Sequence, residues 1–187
     1  MPLKSKMLVI TKQGSVKKSN INNQKAAKMR RQRGYHWEDT IVKRFNGTPK
    51  WRAFRLGSPS IALPDVLAVN NENEELFTIE AKSGTSTSLP VPADQIERCL
   101  DWIETFGVYK KRNVLLAFKF LSKKRLGIGK YENRELREFF KIWDTSLEIT
   151  DCVCTYDGKI FAKSNGEKKE LFLKECLMPF KTKQRQI

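Results

Sequence analysis

The sequence predicts an α/β protein whose core runs α-β-β-β-α-β around a mixed central sheet flanked by helices, and three observations carry that expectation. An apolar stripe at helical spacing, Trp37, Ile41, Val42 and Phe45, precedes strand-like runs between Lys50 and Lys82. A second amphipathic helix over Ala93 to Phe106 then leads to Val114 to Phe120, a nearly all-apolar run of the kind a strand covered on both faces carries. A helix between two strands needs a crossover and so a parallel pair, whereas the short polar turns before it make hairpins.

The 187 residues suffice to bury one core with extensions, and 40% apolar content fits a globular chain. No apolar run approaches the roughly 18 residues that cross a bilayer, and the start Met1 to Lys6 lacks the apolar segment of a secretory signal. The expectation is a cytoplasmic protein with no membrane partner. Cys99, Cys152, Cys154 and Cys176 are scattered, and Cys152-x-Cys154 is not a zinc-knuckle spacing, so they are read as reduced and structural. The single histidine, His36, removes most of the weight from Ser-His-Asp chemistry and from multi-histidine metal sites. A net charge of +15 points to a polyanionic partner, and without a basic amphipathic helix of wide aromatic face nucleic acid is preferred to a membrane surface.

Residues 1–37 hold ten Lys or Arg and no Asp or Glu. Residues 1–32 are therefore expected to be a basic, largely flexible arm that neutralises phosphate, with Lys28, Arg30, Arg31 and the following Arg33 as DNA-contact candidates. Gln24 to Arg33 has helix-forming composition with little apolar surface of its own. The helix carrying Trp37 closes at Asn46-Gly47, and Glu38 borders its apolar stripe. Lys50 to Leu56 alternates like a strand, with Trp51 read as packing, and Gly57-Ser58-Pro59-Ser60 is a loop. Strands at Asp65 to Val69 and Glu75 to Lys82, joined by Asn70 to Glu74, make a hairpin. Ser83 to Pro92 reads as a polar loop, Ser122 to Arg125 as a basic loop, and Glu132 to Trp143 as a helix burying Leu136, Phe139, Phe140 and Trp143. Asp151 to Leu173 reads as short strands around Asp157-Gly158 and Asn165-Gly166. Residues 33–187 are thus one domain, a core over 33–120 and an α+β extension over 121–187.

The chemistry gathers in Leu76-Phe77-Thr78-Ile79-Glu80-Ala81-Lys82. Alternation puts Phe77, Ile79 and Ala81 on one face and Thr78, Glu80 and Lys82 on the other. The hairpin register brings Asp65 beside Glu80 and Lys82. Converging carboxylates repel unless a cation joins them, and a hard divalent ion with oxygen ligands, Mg²⁺ or Mn²⁺, is the usual one. Asp65, Glu80 and the Ala81 carbonyl can supply ligands, with Glu38 reaching in directly or through water. Such a metal acidifies a bound water and stabilises charge on phosphorus, while Lys82 orients that water or offsets charge. The set describes phosphodiester hydrolysis.

Glu38, Pro64-Asp65 and Glu80-Ala81-Lys82, on helix, strand and strand, resemble the PD-(D/E)xK nuclease superfamily, whose restriction-endonuclease-like fold has the same order of elements. Arg33-Gly34, the loop Arg55 to Ser60, Pro64-Asp65-Val66, Ile79 to Ser83, Gln95-Ile96-Glu97 and Val114 to Phe120 are similar, more closely, to the archaeal Holliday junction resolvases. The resemblance implies a homodimer that cuts opposed strands of a four-way DNA junction with Mg²⁺, in recombination and repair, using Glu38, Asp65, Glu80 and Lys82. It also implies a functional loop serine, for which Ser58 (catalytic) and Ser60 (DNA-contacting) are the candidates. Arg55 and Gln95 join the DNA-contact set. Two other readings compete: a nuclease of the same superfamily acting on flaps, single strands or specific duplex DNA, and a non-catalytic basic nucleic-acid-binding protein.

Overall fold

A computed structural model of the chain describes residues 13–56, 62–164 and 167–182. The first helix, α1, spans Gln13–Asn46 and continues through the sequence at Gly34. The fold divides into two units, Met1–Gln32 and Arg33–Ile187. In the first, Gln24, Lys28, Met29 and Arg31 are exposed on the helix. In the second, Trp37, Ile41 and Phe45 are fully buried, as their spacing predicts. The helix stops where Asn46-Gly47 predicts: the Gly47 amide donates to the Lys43 carbonyl at 2.9 Å. The Asn46 side chain then grips Ala53, donating to its carbonyl at 3.0 Å and accepting from its amide at 2.8 Å.

That grip starts β1 (Arg52–Arg55), which leads to β2 (Val66–Asn70) and β3 (Glu75–Gly84). After β4 (Ser88–Val91), helix α2 (Ala93–Thr105) crosses over to β5 (Lys111–Phe120). β6 (Lys123–Arg125), β7 (Tyr131–Asn133), β8 (Arg137–Ile142), β9 (Cys152–Thr155), β10 (Ile160–Ser164) and β11 (Glu167–Leu171) complete the chain. The central sheet has the order β1-β2-β3-β5-β8. β3 and β5 are parallel, as the α2 crossover requires, and the other pairs are antiparallel. This is the mixed-sheet, restriction-endonuclease-like α/β architecture expected of the core.

Strand alternation divides the sheet's two faces. Phe77, Ile79, Ala81, Leu115 and Ala117 pack on the α1 side with Trp37, Ile41 and Phe45. Leu76, Val114, Leu116 and Phe118 pack on the α2 side with Ile96, Cys99 and Ile103. Thr78, on that second face, is buried and satisfied by donating its hydroxyl to the Cys99 carbonyl at 3.0 Å. Trp51 is packing: it lies 5.4 Å from Phe77, nearly parallel to it. A second sheet, β11-β10-β9-β4, is antiparallel throughout, and Leu89, Val91, Cys152, Cys154 and Ile160 join the α2-side core. Its Asp157-Gly158 turn needs glycine, because Gly158 has φ +83° and a Cβ there would lie 2.5 Å from the Phe139 ring. The four cysteines are free and buried.

The structure corrects three local expectations. Ser83 to Pro92 is not all loop: β3 runs on to Gly84, and Ser88–Val91 pairs with β9. The basic stretch after Ser122 is strand β6. Glu132 to Trp143 is β7 and β8 rather than a helix, so the extension is all β among its described residues. β5 is an apolar strand whose far edge would otherwise stay open, and β8 closes it. Phe140 packs with Trp37 on the α1 side, whereas Phe139 packs with Phe120 on the other, a split only a strand can make. The turn residues Asn165 and Gly166 lie outside the described residues.

Candidate active site

β3 is the centre of its sheet, between β2 and β5, so Glu80 and Lys82 are interior-strand residues and not a solvated pair on an edge. β2 pairs with β3 in a register that sets Val66 against Ile79. One residue further along that register, Asp65 falls opposite Glu80, where the sequence placed it. Because Asp65 sits before the first paired residue of β2, its side chain replaces the ladder: Asp65 Oδ2 accepts from the Ala81 amide at 2.9 Å. In an extended strand a residue's N–H and C=O point to the same edge. The Ala81 carbonyl is therefore directed toward the Asp65 side.

Glu80 is almost fully buried and is held by two cations, the Lys82 ammonium on its own strand and the Arg98 guanidinium of α2 at 3.0 Å. Burial, followed by the smaller repulsion from Asp65, outweighs those cations and pushes its carboxyl up to about 7. Glu38, on the border of the buried stripe of α1, is pushed up to about 7 as well, by burial first and then by Asp65, with Arg55 opposing. The three carboxylates thus repel one another across a helix and a hairpin. Arg55 of β1 faces the same place, 3.9 Å from Glu38 and 3.4 Å from Asp39, with its guanidinium over the Tyr35 ring.

Glu38, Asp65 and Glu80 are therefore electrostatically coupled, with the Ala81 backbone, Lys82 and Arg55 in contact with them. Arg33 lies at its margin through the backbone, where its carbonyl accepts from the Ser83 hydroxyl at 3.2 Å. Gln95 shares a face of α2 with Arg98, three residues on, and its side-chain oxygen is buried with no hydrogen-bond partner. Lys28 and Arg31 are exposed within the first unit, and the side chain of Arg30 lies outside the described residues. Ser58 and Ser60 also lie outside the described residues. Arg98 was missed in the sequence. The available signal was a cation at i+3 from Gln95 on a helix otherwise read for its apolar residues.

Among the described residues no three Asp, Glu, His or Cys side chains stand close enough to hold a metal ion. Each carboxylate is turned to its own partner: Asp65 to an amide, Glu80 to Lys82 and Arg98, Glu38 toward Arg55. The donor chemistry nevertheless fits a hard divalent cation, since the set is all oxygen and two of its members are held near neutrality by burial and mutual repulsion. Among the described residues no helix is long and apolar enough to cross a membrane.

The family model described as archaeal Holliday junction resolvase (Hjc) matches residues 29–155, more than half of the chain. Among solved structures the chain is similar to Archaeoglobus fulgidus Hjc, a Holliday junction resolvase from an archaeal hyperthermophile, at 19% identity and a TM-score of 0.40, over 57% of this chain and 75% of that one. No curated protein matches. The matched span takes in the half of α1 that carries Glu38, the hairpin with Asp65, Glu80 and Lys82, and α2, and on that match the chain belongs to the archaeal Holliday junction resolvase family, which makes it a junction-resolving endonuclease in kind.

Proposed function

We propose that the chain is a divalent-metal-dependent, structure-selective endonuclease that cuts four-way DNA junctions during recombination and repair, and that it works as a homodimer. One observation carries the reading: a buried strand glutamate, a hairpin aspartate and a helix glutamate converge beside a lysine in a chain of net charge +15. Glu38, Asp65, Glu80 and the Ala81 carbonyl would hold the ion, Mg²⁺ with Mn²⁺ substituting. Bound there, it supplies Lewis-acid polarisation of the phosphodiester and a water of lowered pKa.

The chain's own residues do the rest. Lys82 donates to the attacking water or to a phosphate oxygen from the face it shares with Glu80. Arg98 fixes the Glu80 carboxylate from α2. Arg55, beside Glu38, meets a DNA phosphate at the rim, where Gln95 and Arg33 add polar contacts. The loop serine, Ser58 or Ser60, assists at the scissile phosphate. Residues 1–32, with Lys28, Arg30 and Arg31, act as a basic arm that neutralises backbone phosphate without reading sequence. Two opposed cuts require two sites, and the described residues of one chain carry one such set, which is why a second copy is needed.

The test is incubation with a mobile four-way junction and Mg²⁺. Paired cuts in opposed strands are expected, and no cleavage, or equal cleavage of linear duplex, would contradict the reading. A preference for flaps or single strands would keep the chemistry and move the substrate. Light scattering on the purified protein should give twice the 21.7 kDa chain mass.

A further inference from the structure

We propose that the β6–β7 hairpin is a DNA-contacting finger, holding phosphate with Lys123 and Arg125 and meeting exposed bases of the junction's branch point with Tyr131 on that face and with Leu126 and Ile128 at its tip. The inference rests on the junction reading above and adds a recognition element to the same site. The hairpin belongs to neither large sheet: β6 and β7 pair only with each other. Its register sets Lys123 against Asn133, Lys124 against Glu132 and Arg125 against Tyr131. Cross-strand partners share a face, so the two faces differ in kind. One carries Lys124 and Glu132, which neutralise each other at 3.5 Å. The other carries Lys123, Arg125, Tyr131 and Asn133, two cations and an exposed aromatic ring with no carboxylate.

The tip adds exposed apolar side chains beyond these two faces. The Leu126 amide donates to the Lys130 carbonyl at 3.0 Å, closing a turn in which Gly129 has φ +73°. Leu126 and Ile128 stand 58% and 94% exposed there. Apolar side chains at that exposure do nothing for the fold, and an isolated two-stranded hairpin is marginal in water. The chain instead anchors its base. The Arg125 amide donates to the Thr85 carbonyl and the Leu121 amide to the Gly84 carbonyl, both at 2.9 Å. The Arg134 guanidinium donates to the Leu121 and Ser86 carbonyls at 2.8 and 2.9 Å and lies over the Phe120 and Tyr156 rings. Gly84 ends β3 two residues beyond Lys82, about 7 Å along the strand, so the base of the finger, which follows β5 in the chain, is anchored beside the end of the strand that carries the site.

Cations interleaved with an aromatic ring form a platform for phosphate and stacked bases, and apolar wedges enter a helix where its base steps part. Parting a duplex step costs a few kcal/mol, and the cost is least where stacking is already interrupted. A branch point is such a place, so the finger favours a junction over continuous duplex.

The experiment uses the full chain without added metal. It compares wild type, Leu126→Ser with Ile128→Ser, and Tyr131→Ala on a four-way junction carrying 2-aminopurine at the branch and on a linear duplex of the same arm sequence. The tip variants are expected to bind the junction about tenfold more weakly, to lose the fluorescence change and to keep their duplex affinity. Lys123→Ala with Arg125→Ala should weaken both substrates and lower the salt slope by about two. Unchanged junction affinity in the tip variants, an equal fall on both DNAs, or an unchanged salt slope in the lysine-arginine variant would overturn the finger. A changed oligomeric state with unaltered DNA binding would also overturn it, by making the tip a protein contact. If wild type itself fails to prefer the junction, the function proposed above falls together with the finger. If wild type discriminates and the variants discriminate equally, only the finger falls.

Discussion

Two strand glutamates are buried almost completely in this sheet, Glu80 on β3 and Glu138 on β8, and their surroundings treat them in opposite ways. Glu138 receives both guanidinium nitrogens of Arg44, at 2.7 and 3.0 Å, with Lys119 at 3.9 Å. Arg44 in turn lies over the rings of Trp37 and Phe180. Two cations meet one carboxylate there, in bidentate geometry. At Glu80 the cations Lys82 and Arg98 are offset by Asp65, and beyond it by Glu38, so that burial and repulsion hold Glu38 and Glu80 at about 7. The first cluster ties α1 to β8. The second brings three carboxylates together and raises the pKa of two of them by burial and repulsion, a cost that folding alone gives no reason to keep.

Substitutions should separate the two clusters, and the largest effect belongs to the site. Asp65→Asn and Glu80→Gln should slow single-turnover junction cleavage by more than about a hundredfold while junction binding persists, because several kcal/mol of charge stabilisation at the phosphate disappear. Normal cleavage by either variant would remove that residue from the site. Glu138→Ala should do the reverse: it should cost about 3 kcal/mol of stability by stranding Arg44, readable as a lower denaturant midpoint, with the cleavage rate of the folded protein little changed.

A smaller effect, of opposite sign, is expected at Glu38. Its carboxyl is raised from 4.5 to about 7, so the folded chain holds more protons than the unfolded chain between those pH values. Stability of the metal-free protein therefore falls as pH rises through that window. Glu38→Gln cannot ionise, so it should be more stable than wild type by about 1–3 kcal/mol at pH 8 and nearly equal to it at pH 4. Denaturant titration at the two pH values checks this, and a variant less stable at pH 8 would show that the site is not strained by its own charge.

The contrast between the clusters also marks what the sequence could convey. Asp65, Glu80 and Lys82 were legible because strand alternation and one short hairpin fix their meeting, and Glu38 because a helical stripe fixes which way α1 faces. Those are local rules acting over a few residues. The Arg44–Glu138 pair joins positions 94 residues apart and depends on β8 covering the edge of β5. Leu136, Phe139, Phe140 and Trp143 mimic a helical stripe, so no local rule points to that strand. Arg98 was hidden for a related reason: on α2 it belongs to a face defined by what β3 presents to it. The extension's basic stretch after Ser122 read as a loop because its strands are too short for alternation to register.

On the function proposed above, Glu38, Asp65 and Glu80 would together hold a divalent cation. Calorimetric titration of Mn²⁺ into the full chain at pH 7, in two buffers of different ionisation enthalpy, tests it directly. Binding should release protons as Glu38 and Glu80 ionise, should weaken as pH falls below 7, and should vanish in Asp65→Asn. Absence of binding, or binding of equal strength in Asp65→Asn, would contradict the claim.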